Sequence, residues 1–177
     1  MSFLGLPWFM PTMVVVALLA ALASGSVARV LGTRRAVGAL LIMSVGVVLA
    51  ATLTPQGSAF AAGEIGSGSC NLERLRPAGP WTYLALGEAL GNVLLLVPLG
   101  LAIALLPASR GRTRLLAGAI ALPLVVEGIQ LSVVVLNRAC ESADVIDNLL
   151  GLALGLGIGW AVNRAGGGRL GARHSGA

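Results

Sequence analysis

The run Leu136–Gly151, LNRACESADVIDNLLG, decides how the rest of the chain is read. It holds Arg138, Glu141, Asp144 and Asp147, together with Asn148 and Cys140, one of only two cysteines. Apolar sequence of membrane-spanning length flanks it on both sides. Leu115 to Val135 carries a single acid, Glu127, with Gln130 close behind, and LLGLALGLGIGW follows from Leu149. Charge set this close to hydrocarbon is costly, about 2.5–3.5 kcal/mol for an Asp at a helix centre on an insertion scale. An acid retained there is by default a candidate for function.

Working outward, the composition is that of a multi-pass membrane protein. Of 177 residues 56% are hydrophobic and 11% charged, against about 25% charged in an average soluble domain. Mean hydropathy is +0.91. The apolar runs approach the roughly 20 residues needed to cross a bilayer core. Five are expected: Met13 to Leu31, Ala36 to Leu53, Glu88 to Leu106, Leu115 to Leu136 and Val145 to Val162. The fold class is therefore an all-α helix bundle of about five transmembrane helices. It forms a single domain over 1–163, followed by a basic tail, 164–177, expected to be disordered. The start, MSFLGLPWFMPT, has no basic n-region, which argues against a secretory signal peptide.

All twelve basic residues are arginine, which removes Schiff-base lysine and Walker-type phosphate binding. The one histidine, His174, lies in the tail, which excludes a His-based triad or a His-ligated metal inside the bundle. The net charge of +5 is dispersed over short loops without interleaved aromatics, so nucleic acid is not an expected partner. The arginines instead orient the bundle. One set of alternating loops and the tail holds Arg29, Arg34, Arg35, Arg110, Arg112, Arg114, Arg164, Arg169 and Arg173, and the other holds Arg74, Arg76 and Arg138. By the positive-inside rule the C-terminus is cytoplasmic and the N-terminus outside, with the cytoplasmic membrane as the expected location. No acid falls in an inner loop, so the acidic chemistry faces outward.

Several constellations gather at that outer end. Cys70 and Cys140 fall on one face of the membrane and suit a disulfide if that face is oxidising; two free buried thiols are the alternative. On the third span Glu88 and Asn92 share a helix face, as Glu127 and Gln130 do on the fourth, while Asp144, Asn148 and Gly151 recur at i, i+4 and i+7 on the fifth. Arg138 is the cation placed to pair with them. Two readings stand: an outward-facing polar pocket built from Asn92, Glu127, Gln130, Arg138, Glu141, Asp144 and Asn148, or interhelical hydrogen bonds that only hold the bundle together. Gly151, Gly155 and Gly159 form overlapping GxxxG steps for close helix packing, within the monomer or between copies. Pro98 and Pro123 are expected to kink their helices.

Together these residues resemble the VanZ-like family of bacterial membrane proteins. Asn92 followed by Pro98-Leu99-Gly100 is similar to its NxxxxxPLG helix, and Glu127 with Gln130 to its ExxQ helix. Arg138, Glu141, Asp144, Asn148 and Gly151 resemble its R-x2-D-x2-D-x3-N-x2-G stretch, with Glu141 where Asp is usual. The likeness runs from about Cys70 to Gly159. The family's namesake is an accessory factor in low-level resistance to teicoplanin. The resemblance thus implies a role in envelope biology or glycopeptide tolerance, with a membrane lipid or lipid-linked envelope component as partner. No cofactor is expected on this reading. The alternative is a membrane-embedded enzyme in which Glu127 is a buried general base, or in which the acids hold a divalent cation.

Overall fold

The computed structural model describes residues 8–55, 69–85, 87–133, 136 and 138–171. Its elements in order are α1 (Phe9–Leu31), α2 (Arg35–Leu53), β1 (Cys70–Asn71), α3 (Pro80–Ala85), α4 (Gly87–Ala104), α5 (Arg110–Ser132), β2 (Cys140–Glu141) and α6 (Ser142–Gly171). Five of these helices, α1, α2, α4, α5 and α6, are long and apolar enough to cross a membrane. The all-helical bundle read from the apolar runs is therefore the fold.

The helix ends follow local chemistry. Gly32 takes φ 62°, and its N–H returns to Ala28 O and Arg29 O, the left-handed cap that only glycine adopts without steric cost. The start of α5 is set by Ser109, whose side chain accepts from the Arg112 N–H at 3.2 Å. That cap starts α5 at Arg110, five residues before the apolar run begins, because a satisfied first turn lets the arginines join the helix. The two internal prolines, Pro98 and Pro123, do not break their helices. The last helix runs through Gly171, so residues 164–171, expected as disordered tail, are helical. Residues 172–177, with Arg173 and His174, and the stretch 56–68, with Glu64, lie outside the described residues.

Two close helix pairs organise the bundle, α1 with α2 antiparallel and α4 with α6 parallel. Helices α1 and α2 pack through glycines: a Cβ at Gly38 would press on Ser24 O, and one at Gly46 would overlap Val16. Helices α4 and α6 meet along a closer seam. A Cβ at Gly151 would overlap the Val93 carbonyl, one at Gly155 the Val97 carbonyl, and one at Gly100 the Leu152 carbonyl. Small residues let backbones approach where no water drives helices together. The GxxxG face of α6 thus packs against α4 of the same chain. Asn163 Nδ2 fastens the far end of this seam to Ala104 O at 2.9 Å.

The core where α2, α4, α5 and α6 meet is built from Leu41, Val48, Leu96, Leu99, Ile103, Ala119 and Leu152. Large apolar side chains also face outward, among them Leu22, Val30, Leu124 and Ile158. Such a surface suits helices whose solvent is hydrocarbon.

Candidate functional site

Helix α2 ends at Leu53, and Thr54 turns the chain into extended backbone. The last carbonyls of a helix have no partner within it. Two side chains from elsewhere supply the donors. Gln130 Nε2, from the last turn of α5, donates to Thr52 O at 2.9 Å. Arg138, between α5 and α6, donates from Nε and Nη2 to Thr54 O at 3.4 and 3.3 Å. These are long contacts for hydrogen bonds, and they are all that the described residues offer the Arg138 side chain. Burial lowers the Arg138 pKa from the ordinary arginine value, while Asp144 and Glu127 act in the opposite sense.

One turn below Gln130, Glu127 is buried and its Oε2 accepts the Glu141 N–H at 2.8 Å. That bond ties α5 to the strand residue just ahead of α6. Asp144 sits in the first turn of α6, where the helix dipole favours a negative charge. Glu127, Arg138, Glu141 and Asp144 lie close enough to act on one another through their charges. Asn148, one turn further, is buried, and its Oδ1 has no hydrogen-bond partner among the described residues. Asn92 is half-buried on α4.

The structure thus gathers the expected residues at one end of the bundle but pairs them differently. The acids were expected to hold Arg138 and Gln130 in place. Instead, both donors are engaged by the carbonyls at the end of α2, and among the described residues no carboxylate lies within ion-pair distance of Arg138. The physical reason is the competing need of α2, whose last carbonyls are also costly to leave without donors in a dry bundle.

The cation that neutralises a buried acid is Arg74, which sequence reasoning had not assigned to the site. Asp147 is fully buried, and Arg74 grips it from two nitrogens, Nη1 to Oδ1 at 3.0 Å and Nη2 to Oδ2 at 2.5 Å. Tyr83 adds a third bond, its hydroxyl donating to Asp147 Oδ1 at 2.8 Å and accepting the Ala78 N–H at 3.0 Å. Arg74 also reaches Arg76 O and Ala143 O, and Ser142 Oγ donates to Arg74 O at 2.9 Å. The paired carboxylate raises the Arg74 pKa above its ordinary value, against the opposing effect of burial. A signal for this pair does exist in the sequence. An acid on the packed face of α6 requires a cation, and only Arg74, Arg76 and Arg138 lie in loops at that end.

A covalent clasp sets this geometry. Cys70 and Cys140 form a disulfide, and β1 and β2 pair in parallel with Cys70 opposite Cys140 and Asn71 opposite Glu141. The Glu73 N–H bonds Asn71 Oδ1 at 2.9 Å, a local turn that carries the chain from the clasp to Arg74. Two polar clefts, about 690 and 520 Å³, lie beside Arg74 and Arg76. Among the described residues no three of His, Cys, Asp and Glu gather closely enough to hold a metal ion.

Comparison with known proteins extends the likeness beyond these residues. No curated protein and no solved structure matches the chain. The model of the VanZ/LLP1 family matches residues 38–163, from the second membrane-length helix through nearly all of the last. That interval contains the clasp, the Arg74–Asp147 pair and all of the polar residues above, and with it the chain belongs to the VanZ/LLP1 family.

Proposed function

We propose that the clasped end of the bundle is an outward-facing binding site in the bacterial cytoplasmic membrane. Its ligand is the anionic head group of a membrane lipid or lipid-linked envelope component, or of an amphiphilic drug that resembles one. Arg138 carries the reading. It is half-buried, permanently charged, and among the described residues satisfied only by one carbonyl at long distance. A guanidinium with free donors in a partly dry setting favours carboxylate or phosphate, which it can grip bidentately. Glu127 and Gln130 fix the surrounding backbone, and Asn148 Oδ1 offers an acceptor for a ligand donor. The distribution of arginines supports the outward orientation, and the disulfide agrees with an oxidising face. Through such a ligand the protein acts in envelope biology or in tolerance of teicoplanin-type antibiotics.

The test is drug susceptibility. A deletion strain is complemented with the wild type, Arg138→Ala, Glu127→Gln or Asp144→Asn, and challenged with teicoplanin and other envelope-active drugs while membrane levels are followed by immunoblot. The reading predicts that Arg138→Ala accumulates normally and fails to complement. Full complementation by Arg138→Ala sinks it.

A further inference from the structure

A second site lies away from the clasp. Helices α2, α4 and α5 leave a cleft of about 210 Å³ between them. Its floor is core: Leu41, Leu99, Ile103 and Ala119 are all buried. Its rim is formed by Gly118 and Arg114, four residues apart on one face of α5 and both exposed. A Cβ added at Gly118 would meet nothing within 4 Å, so the missing side chain opens the cleft sideways. Between apolar helices in a membrane, that opening faces lipid.

The charge at the rim selects among lipids. Arg114 has no hydrogen-bond or ion-pair partner among the described residues, whereas Arg112 and Arg35 at the same end are engaged. Arg112 Nη1 donates to Leu106 O at 3.4 Å, and Arg35 donates to Ser24 Oγ and Ala21 O. We propose that this cleft is a binding site for an anionic glycerophospholipid, with an acyl chain over Leu99 and Ile103 and the head-group phosphate on Arg114. Voids beside hydrocarbon forfeit dispersion contacts that a lipid tail restores. Basic pockets between transmembrane helices on the cytoplasmic side are the common setting for such head groups, and Arg114 belongs to the arginine-rich end. This site is independent of the polar end, because none of its residues touches the clasp.

The experiment is native mass spectrometry of the full chain in detergent, titrated with phosphatidylglycerol and with phosphatidylcholine. Wild type should retain phosphatidylglycerol in preference by about five-fold, the scale of one basic residue near an anionic surface. Arg114→Gln should bring the two lipids to parity, and Gly118→Phe should reduce retention of both. Arg112→Gln should leave the preference intact. Circular-dichroism melts check that each variant is folded, and Gly118→Leu replaces Gly118→Phe if the larger ring unfolds the protein. Equal retention of both lipids by wild type overturns the proposal. So does a loss of preference in Arg112→Gln as large as in Arg114→Gln, which would mean diffuse charge and no site.

Discussion

The half of the bundle built by α4 and α6 is closed, and the half that α5 completes is open. Along the α4–α6 seam, glycine lets backbone meet backbone, and the fully buried acid Asp147 has three hydrogen bonds from Arg74 and Tyr83. Around α5 the same kinds of residue are left unfinished. Among the described residues Arg138 has only a distant carbonyl, and a cleft stays open beside Gly118. The difference separates two uses of polar groups in one protein. Saturated groups hold a shape, while groups with spare capacity are free to recognise something else.

The strongest way to break this contrast is to crowd the seam. Gly151→Leu should destabilise by more than the roughly 3 kcal/mol common for overpacking, because its Cβ meets the Val93 carbonyl, part of a backbone that cannot rotate aside. Loss of the protein from the membrane fraction would register this. Gly157→Leu, at a position with open space, should accumulate normally. If Gly151→Leu also accumulates, the seam is not closed.

Opening the clasp comes next. The disulfide joins residues 70 apart in sequence, and closing a loop of that size is worth about 4 kcal/mol in the chain-entropy account. Cys140→Ala should therefore lower the thermal midpoint in detergent strongly, and reductant should do so for wild type only.

A smaller loss, about 2–3 kcal/mol, is expected for Arg74→Ala. Removing one partner of a buried pair strands the other charge, and the Arg74 side chain is 28% exposed, which places the effect below the full range. The double variant Arg74→Ala with Asp147→Asn should recover part of the loss, since no charge is then left buried. No recovery in a double-mutant melt would mean that Arg74 acts through its backbone contacts.

The smallest effect on stability should come from Arg138→Gln, under about 1 kcal/mol, given its long contacts. It should nevertheless fail to complement while accumulating at normal membrane levels. A melt as damaged as that of Arg74→Ala would erase the distinction between the two halves.

Most of the fold was legible in the chain because hydrocarbon imposes strict rules. Apolar runs of crossing length became the helices within a few residues, except that the last runs on to Gly171, and the early start of α5 traces to the Ser109 cap. The two cysteines were brought together by topology alone. The polar end was legible as a cluster: Glu127, Gln130, Arg138, Glu141, Asp144 and Asn148 do collect there. Their partners were not. Spacing along one helix shows which residues share a face, but it does not say which loop folds over that face, or which carbonyls run short of donors.

By itself the sequence determined where helices form, which face of α6 admits close packing, and which residues carry charge at each end. Those properties depend on local composition and on the high cost of unpaired polar groups in a membrane. Only the tertiary structure decided that Arg74 and not Arg138 neutralises a buried acid, that α4 fills the glycine face, and that α5 stands off far enough to leave a cleft. Each of those outcomes is a competition among groups distant in sequence, settled by the geometry in which all of them must be satisfied at once.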